Sequence, residues 1–182
     1  MAIVAIKSSP RKSGNSEALV NAMIEGARAN GKEVIEFRLN GMGNAKGCQA
    51  CMACKRSMGC ITKDDNGKVL EAIRDSEGVI LSSPCYFGEV NGQFKLLEDR
   101  FYSFINADFS PNIAPGKKVA VVVTCGGGYD GAKAMADKLE GTMSGMLGFV
   151  PVGKIVAAFS PTESAADNAN LIAEAKAIGS KL

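Results

Sequence analysis

The sequence predicts a single α/β domain built on a five-stranded parallel sheet, strand order 2-1-3-4-5, sandwiched between two layers of helices. Three observations carry this. Strand-like and helix-like segments alternate along the whole chain, the pattern of a parallel sheet with helices on both faces. Three of the strand-like segments contain continuous apolar runs, AIVAI, GVIL and VAVVV, as expected of central strands covered on both sides. A fourth segment differs: Val34, Glu36 and Arg38 alternate with Ile35, Phe37 and Leu39, which marks an edge strand with one wet side. In this strand order the second strand is an edge.

The strands are expected at Ala2–Lys7, Glu33–Leu39, Gly78–Ser83, Lys117–Thr124 and Gly153–Phe159. Helical periodicity links them. Asn15–Ala29 places Leu19, Met23 and Ala27 on one face, and Gln93–Ile105 does the same for Phe94, Leu97, Phe101, Phe104 and Ile105. Met135, Leu139, Met143, Met146 and Leu147 form the next stripe, and Leu171, Ile172, Ala175 and Ile178 the last. These stripes read as core packing and are assigned no function. With no internal repeat and no low-complexity linker, residues 1–182 form one domain.

Composition narrows the function. The chain has 182 residues, 46% of them apolar and 22% charged, which suits a globular domain with a sizeable core. A net charge of +2 without a basic run gives no footprint for nucleic acid. No apolar stretch is long enough to span a bilayer, and the chain starts on a strand-like run in place of a signal peptide. A cytoplasmic protein with no nucleic-acid or membrane partner is expected. Histidine is absent, which excludes histidine triads, histidine acid–base catalysis and zinc sites with histidine ligands. Six cysteines are present, and Cys48, Cys51, Cys54 and Cys60 fall within thirteen residues. In a reducing compartment such clustering points to metal or redox chemistry, not to a disulfide framework.

Ligands of open parallel sheets bind beyond the carboxyl ends of the strands, at the topological switch point. The loop after the first strand, Ser8-Ser9-Pro10-Arg11-Lys12-Ser13-Gly14-Asn15-Ser16, runs directly into a helix. Its hydroxyls, amide and cations, with the free N–H groups of the helix start, suit a terminal phosphate. It is neither a Walker A loop nor a dinucleotide GxGxxG. The alternative is a solvated turn capped by Ser13 or Asn15. The third strand ends in Ser82-Ser83-Pro84-Cys85-Tyr86-Phe87-Gly88, whose aromatics could lie against a flat ring. The fourth ends in Thr124-Cys125-Gly126-Gly127-Gly128-Tyr129, where the glycines allow close backbone approach or form a flexible turn.

The segments SSPRKSGNS, SSPCYFGEVNGQFKLLEDR and TCGGG resemble the three flavin loops of the flavodoxin-like NAD(P)H-dependent FMN reductase family, in order and spacing, over almost the whole chain. The resemblance implies a flavodoxin-like three-layer sandwich that binds FMN. It places Ser8, Arg11, Ser13, Asn15 and Ser16 at the FMN phosphate. It sets Pro84, Cys85, Tyr86, Phe87 and Gly88 along the ribityl chain and isoalloxazine, and Thr124, Gly126, Gly127 and Gly128 at the polar edge of the ring. Cys85 departs from the small aliphatic residue or threonine more usual there. No catalytic side chain is assigned, because the flavin carries the chemistry. Family members commonly form homodimers or homotetramers.

The four clustered cysteines read C-x2-C-x2-C-x5-C, in a cysteine-rich loop over 47–66 after the second strand. A [4Fe-4S] cubane needs four thiolates, and the first three match the start of the bacterial ferredoxin pattern. The compact motif resembles the iron–sulfur flavoprotein branch of the same family. That branch implies a cluster in this loop, exchanging electrons with FMN. Flavin reductases that keep several cysteines and a following Asp64-Asp65 without a cluster are the competing reading, and a four-cysteine zinc site or a redox disulfide is a third. The expected function is an oxidoreductase carrying electrons between a reduced donor, NAD(P)H or a ferredoxin-type protein, and an acceptor. The alternatives are a cluster-free NAD(P)H-dependent FMN or quinone reductase and a non-enzymatic metal-binding interaction module.

Overall fold

The computed structural model describes residues 2–182. Strands β1 (Ile3–Lys7), β2 (Val34–Arg38), β3 (Gly78–Tyr86), β4 (Glu89–Val90), β5 (Lys118–Cys125) and β6 (Val150–Ala158) form one sheet. The parallel order β2-β1-β3-β5-β6 is the predicted order 2-1-3-4-5. The short β4, unforeseen in the sequence, folds back antiparallel on the end of β3, pairing Cys85 with Val90 and Tyr86 with Glu89.

The pleat sends successive side chains to opposite faces. Val4, Ile6, Val79, Leu81, Val119, Val121 and Val123 enter one core, and Ile3, Ala5, Ile80, Ala120 and Val122 the other. Helices α2 (Asp65–Asp75), α3 (Gly92–Glu98) and α4 (Tyr129–Gly141) cover the first face; α1 (Asn15–Ala29) and α5 (Ala169–Gly179) cover the second. Burying a Leu or Phe side chain fully contributes about 1.5–3 kcal/mol, so continuous apolar strands are held firmly between both layers.

Two expectations change in detail. The predicted helix Gln93–Ile105 is α3 followed by tighter 3₁₀ turns over Asp99–Phe104, although its apolar stripe is buried as expected. Met146 is exposed, because the helix after Gly141 widens into a π turn over Thr142–Met146. The polar side of the edge strand β2 is charged and paired. Glu36 bonds Lys7 Nζ at 2.6 Å and Arg28 at 2.9 Å, and Arg38 pairs with the buried Glu17 of α1.

Candidate functional site

Polar bonds beneath the carboxyl edge of the sheet stitch the predicted loops together. Ser8 Oγ donates to Ser82 O and to Asn91 Oδ1, both at 2.8 Å. Asn91 returns a bond from Nδ2 to Ser8 O at 2.8 Å and accepts from the Ser83 hydroxyl and the Phe94 amide. Ser16 Oγ and Thr124 Oγ1 are hydrogen-bonded at 2.6 Å, either hydroxyl serving as donor, joining α1 to the end of β5. Asn15 donates to Glu163 O and accepts from Ala165 N, tying the first loop to the segment after β6.

These bonds fix what each predicted residue can offer a ligand. The side chains of Ser8, Ser16 and Thr124 are buried and engaged inside the protein, and Pro84 is buried in β3. Asn15 is half-buried with its amide in use. Arg11, Lys12 and Ser13 face solvent. Neither Ser13 nor Asn15 caps α1: the cap is Gly14, without a side-chain hydrogen bond. Helix α4 also starts on a glycine, Gly128, in the left-handed region at φ 67° with no side-chain cap. Helices α2, α3 and α5 are all capped, by Asp64, Asn91 and Asn168. The two helices that leave β1 and β5 at the ligand edge therefore keep first-turn N–H groups free of side-chain acceptors. Such groups, with the positive dipole end, suit an anion.

The aromatic turn has the opposite character. Phe87 and Gly88 lie consecutively in the left-handed region, at φ 54° and 83°. Left-handed backbone costs a non-glycine residue about 1–3 kcal/mol, and it presents Phe87 fully to solvent. Tyr86, next to it in sequence, and Tyr129, at the start of α4, are each 49% exposed. A Cβ added to Gly127 or Gly128 meets no heavy atom within 4 Å, so the backbone there is open to a flat ligand. Cys85 is half-buried in β3. Burial pushes the Cys125 thiol up, partly opposed by the Gly127 amide and reinforced by the nearby Cys85. Open glycine backbone, exposed aromatics and an uncapped helix start match the chemistry of a flavin mononucleotide.

The second cluster of functional residues is the loop between β2 and α2. All four of its cysteines are free: Cys48 and Cys51 are exposed, Cys54 and Cys60 half-buried. Among the described residues no three Cys, Asp or Glu side chains stand in an arrangement that could hold a metal ion. The thiols are nonetheless near enough to interact. Burial raises the Cys54 thiol, and Cys60, Cys48 and Cys51 push it further, against the pull of Lys55. Between the first three cysteines, Ala50 and Met52 adopt left-handed conformations at φ 52° and 57°. Left-handed residues interrupt an extended chain and turn its amides, the backbone feature of nests around anions.

Sequence reading missed what holds this loop. Arg100 is 1% exposed. Its Nη1 pairs with Asp64 Oδ1 and donates to Lys46 O at 3.3 Å; its Nη2 donates to Thr62 O at 3.0 Å and to Cys60 Sγ at 3.3 Å. Burial would raise the Cys60 thiol, but Thr62 and Arg100 outweigh it and hold the thiol below its ordinary range. Lys55 Nζ donates to Tyr102 O and Ile105 O at 2.6 Å and lies over the Tyr102 ring. The 3₁₀ segment Asp99–Phe104 is thus the platform of the cysteine loop. Its one advance signal is an arginine placed within an apolar helical stripe.

A family model described as NADPH-dependent FMN reductase matches residues 1–163. An iron-sulfur flavoprotein of Methanosarcina thermophila is 32% identical over 133 residues, covering 73% of this chain and 67% of the relative. An iron-sulfur flavoprotein of Archaeoglobus fulgidus is 29% identical over 150 residues, covering 82% and 74%. The chain therefore spans about two thirds to three quarters of the length of these two relatives. Among solved structures, an NAD(P)H:quinone oxidoreductase from Methanothermobacter marburgensis superposes with a TM-score of 0.79 at 16% identity, covering 100% of this chain and 95% of that one. That likeness confirms the flavodoxin-like fold. No helix among the described residues is long and apolar enough to cross a membrane. The family match over residues 1–163, with the 32% identity to the Methanosarcina relative, shows that the chain belongs to the NADPH-dependent FMN reductase family, flavoproteins of the oxidoreductase class.

Proposed function

We propose that this protein is a two-centre redox flavoprotein, with FMN at the carboxyl edge of the sheet and a [4Fe-4S] cluster on Cys48, Cys51, Cys54 and Cys60. It would pass electrons between a reduced donor, NAD(P)H or a ferredoxin-type protein, and an acceptor. The observation that carries the second centre is the C-x2-C-x2-C segment, with Ala50 and Met52 left-handed between the thiols. Four thiols with no histidine anywhere in the chain make a soft, all-sulfur donor set suited to iron–sulfur chemistry. The names of the relatives from Methanosarcina and Archaeoglobus support the same reading.

Bound FMN would supply hydride and single-electron transfer, and the cluster single-electron steps. The chain's own residues bind and position. Arg11, Ser13 and the free amides at the start of α1 would take the phosphate, while Ser8, Ser16, Asn15 and Thr124 hold the loops in register from below. Tyr86, Phe87 and Gly88 would line one side of the ring, with Cys85 and Pro84 behind them. The amides of Gly126, Gly127 and Gly128 would donate to its polar edge.

The test is purification without oxygen, followed by an absorption spectrum and assays of iron, sulfide and FMN. The expected result is about one FMN and four irons per chain, with a broad shoulder bleached by dithionite. FMN without iron would leave the cluster-free reductase. A colourless protein that does not take up FMN would overturn both readings.

A further inference from the structure

We infer that Arg100 is a positioning residue for the iron–sulfur centre, fixing Cys60 as its fourth ligand and raising the reduction potential of the group it holds. This rests on the four-cysteine reading proposed above. The guanidinium spends its donors on both ends of one loop: Lys46 O ahead of the first cysteine, Cys60 Sγ and Thr62 O at the last, and Asp64 just beyond. Only Nε lacks a partner. A lysine would bring three donors on one atom; the planar fork of arginine reaches all four acceptors at once. Cys60 is also the proposed ligand least constrained by spacing, separated from Cys54 by five residues while the other three are evenly placed. The arginine therefore stands where the loop needs an external anchor.

The effect on potential follows from charge. Reduction adds negative charge to a thiolate-bound cluster. An N–H donated to a ligand sulfur stabilises that added charge, so the reduced form gains more than the oxidised one. Asp64, bound to the same guanidinium, cancels much of its net charge. The surviving influence is the directed N–H···S contact at 3.3 Å, which makes the effect local to Cys60. A merely structural ion pair would leave the potential alone.

The experiment is a redox titration of anaerobically purified protein, monitored by the cluster's absorbance and electron paramagnetic resonance. Three variants are compared. The double variant Arg100→Gln/Asp64→Asn removes both charges together, because breaking one side of a buried pair leaves an uncompensated ion. Arg100→Lys keeps the charge without the fork. Arg74→Lys is the control: Arg74 lies beside Gly59 but donates to Asn112 O and Ser103 O. The double variant is expected to titrate at a more negative midpoint and to lose iron to a chelator about tenfold faster than wild type. Arg100→Lys is expected to recover part of that shift, and Arg74→Lys to match wild type. A full cluster at unchanged potential in the double variant would overturn the inference and leave the cluster reading intact. Iron-free wild type would overturn the cluster reading itself. If the double variant does not fold, electron spin-echo spectroscopy of protein labelled with guanidino-15N arginine in the Arg74→Lys background decides. Coupling of a labelled nitrogen to the reduced cluster, retained when Arg56 inside the loop is also changed to lysine, supports the inference, and its absence overturns it.

Discussion

Asn91 is 1% exposed, and its side chain alone makes five hydrogen bonds. It caps α3 through the Phe94 amide while it clamps Ser8 from β1 and Ser83 from β3. Replacing it with alanine removes an N-cap and strands several buried polar groups. The N-cap is worth about 0.5–2 kcal/mol, and each unsatisfied group costs about 1–3 kcal/mol. Asn91→Ala is therefore expected to lose about 3 kcal/mol in urea unfolding. It should also weaken FMN binding about tenfold, read by fluorescence titration, because two flavin loops lose their common register. Asn168→Ala is the comparison. It removes the cap of α5, on the opposite sheet face from α3, and should cost stability without weakening FMN. Unchanged FMN affinity in Asn91→Ala would show that the clamp does not organise the site. The sequence displays Asn91 as an ordinary residue before a helix. Its partners lie up to 83 positions away, so only the folded chain reveals the clamp. Ser8 and Ser16 show the same limit in reverse: their positions in a phosphate-type loop are legible, but burial turns their hydroxyls inward.

Among the elements, α1 and α5 meet through glycine. A Cβ on Gly179 would lie 1.9 Å from Met23 O, and one on Gly26 would lie 2.0 Å from Lys176 O. The two helix backbones pack directly on each other at this crossing. Alanine is the better helix former by about 1 kcal/mol, yet here its methyl group must push one backbone off the other. Overpacking costs typically 1–3 kcal/mol, and a backbone obstacle belongs at the upper end. Gly179→Ala is expected to lower the melting temperature by about 4–8 °C, from a net loss of about 2 kcal/mol. Gly141→Ala, in α4, meets nothing within 4 Å and should be neutral or slightly stabilising. Differential scanning calorimetry checks both; equal effects would remove the crossing as the cause. Helix existence was legible from the apolar stripes, and α1 runs over Asn15–Ala29 as predicted. The break of the Gln93–Ile105 helix was not, because its cause is tertiary. The 3₁₀ turns present Tyr102 O, which also accepts from Ile105 N, and Ile105 O to Lys55, which no local pattern encodes.

Across the whole molecule the two candidate centres are held by separate sets of hydrogen bonds, although α3, capped by Asn91, continues directly into the Asp99–Phe104 segment. The flavin loops are joined to one another through Ser8, Asn91, Ser83, Ser16, Thr124 and Asn15. The cysteine loop is joined to Asp64, Arg100 and the carbonyls of Tyr102 and Ile105. A link between the two sets is the exposed bond from Gln93 to Asn40, worth little against water. The ligand edge was legible from sequence because strand order alone dictates where loops converge. The cysteine loop was legible only as a donor set, since its backbone path depends on two left-handed residues, Ala50 and Met52, neither of them glycine. Separate bond sets predict separable cofactors. Cys54 is half-buried, so a serine there exchanges one small side chain for another at a cost of about 1 kcal/mol, or about 2–4 °C in melting temperature. Cys54→Ser, purified without oxygen, is therefore expected to lose its iron and the broad absorption shoulder while keeping about one FMN per chain. Its flavin affinity should stay within about twofold of wild type, because none of the bonds that register the flavin loops passes through Cys54. Joint loss of iron and FMN would mean that the loop supports the flavin site directly, and that the two bond sets act as one.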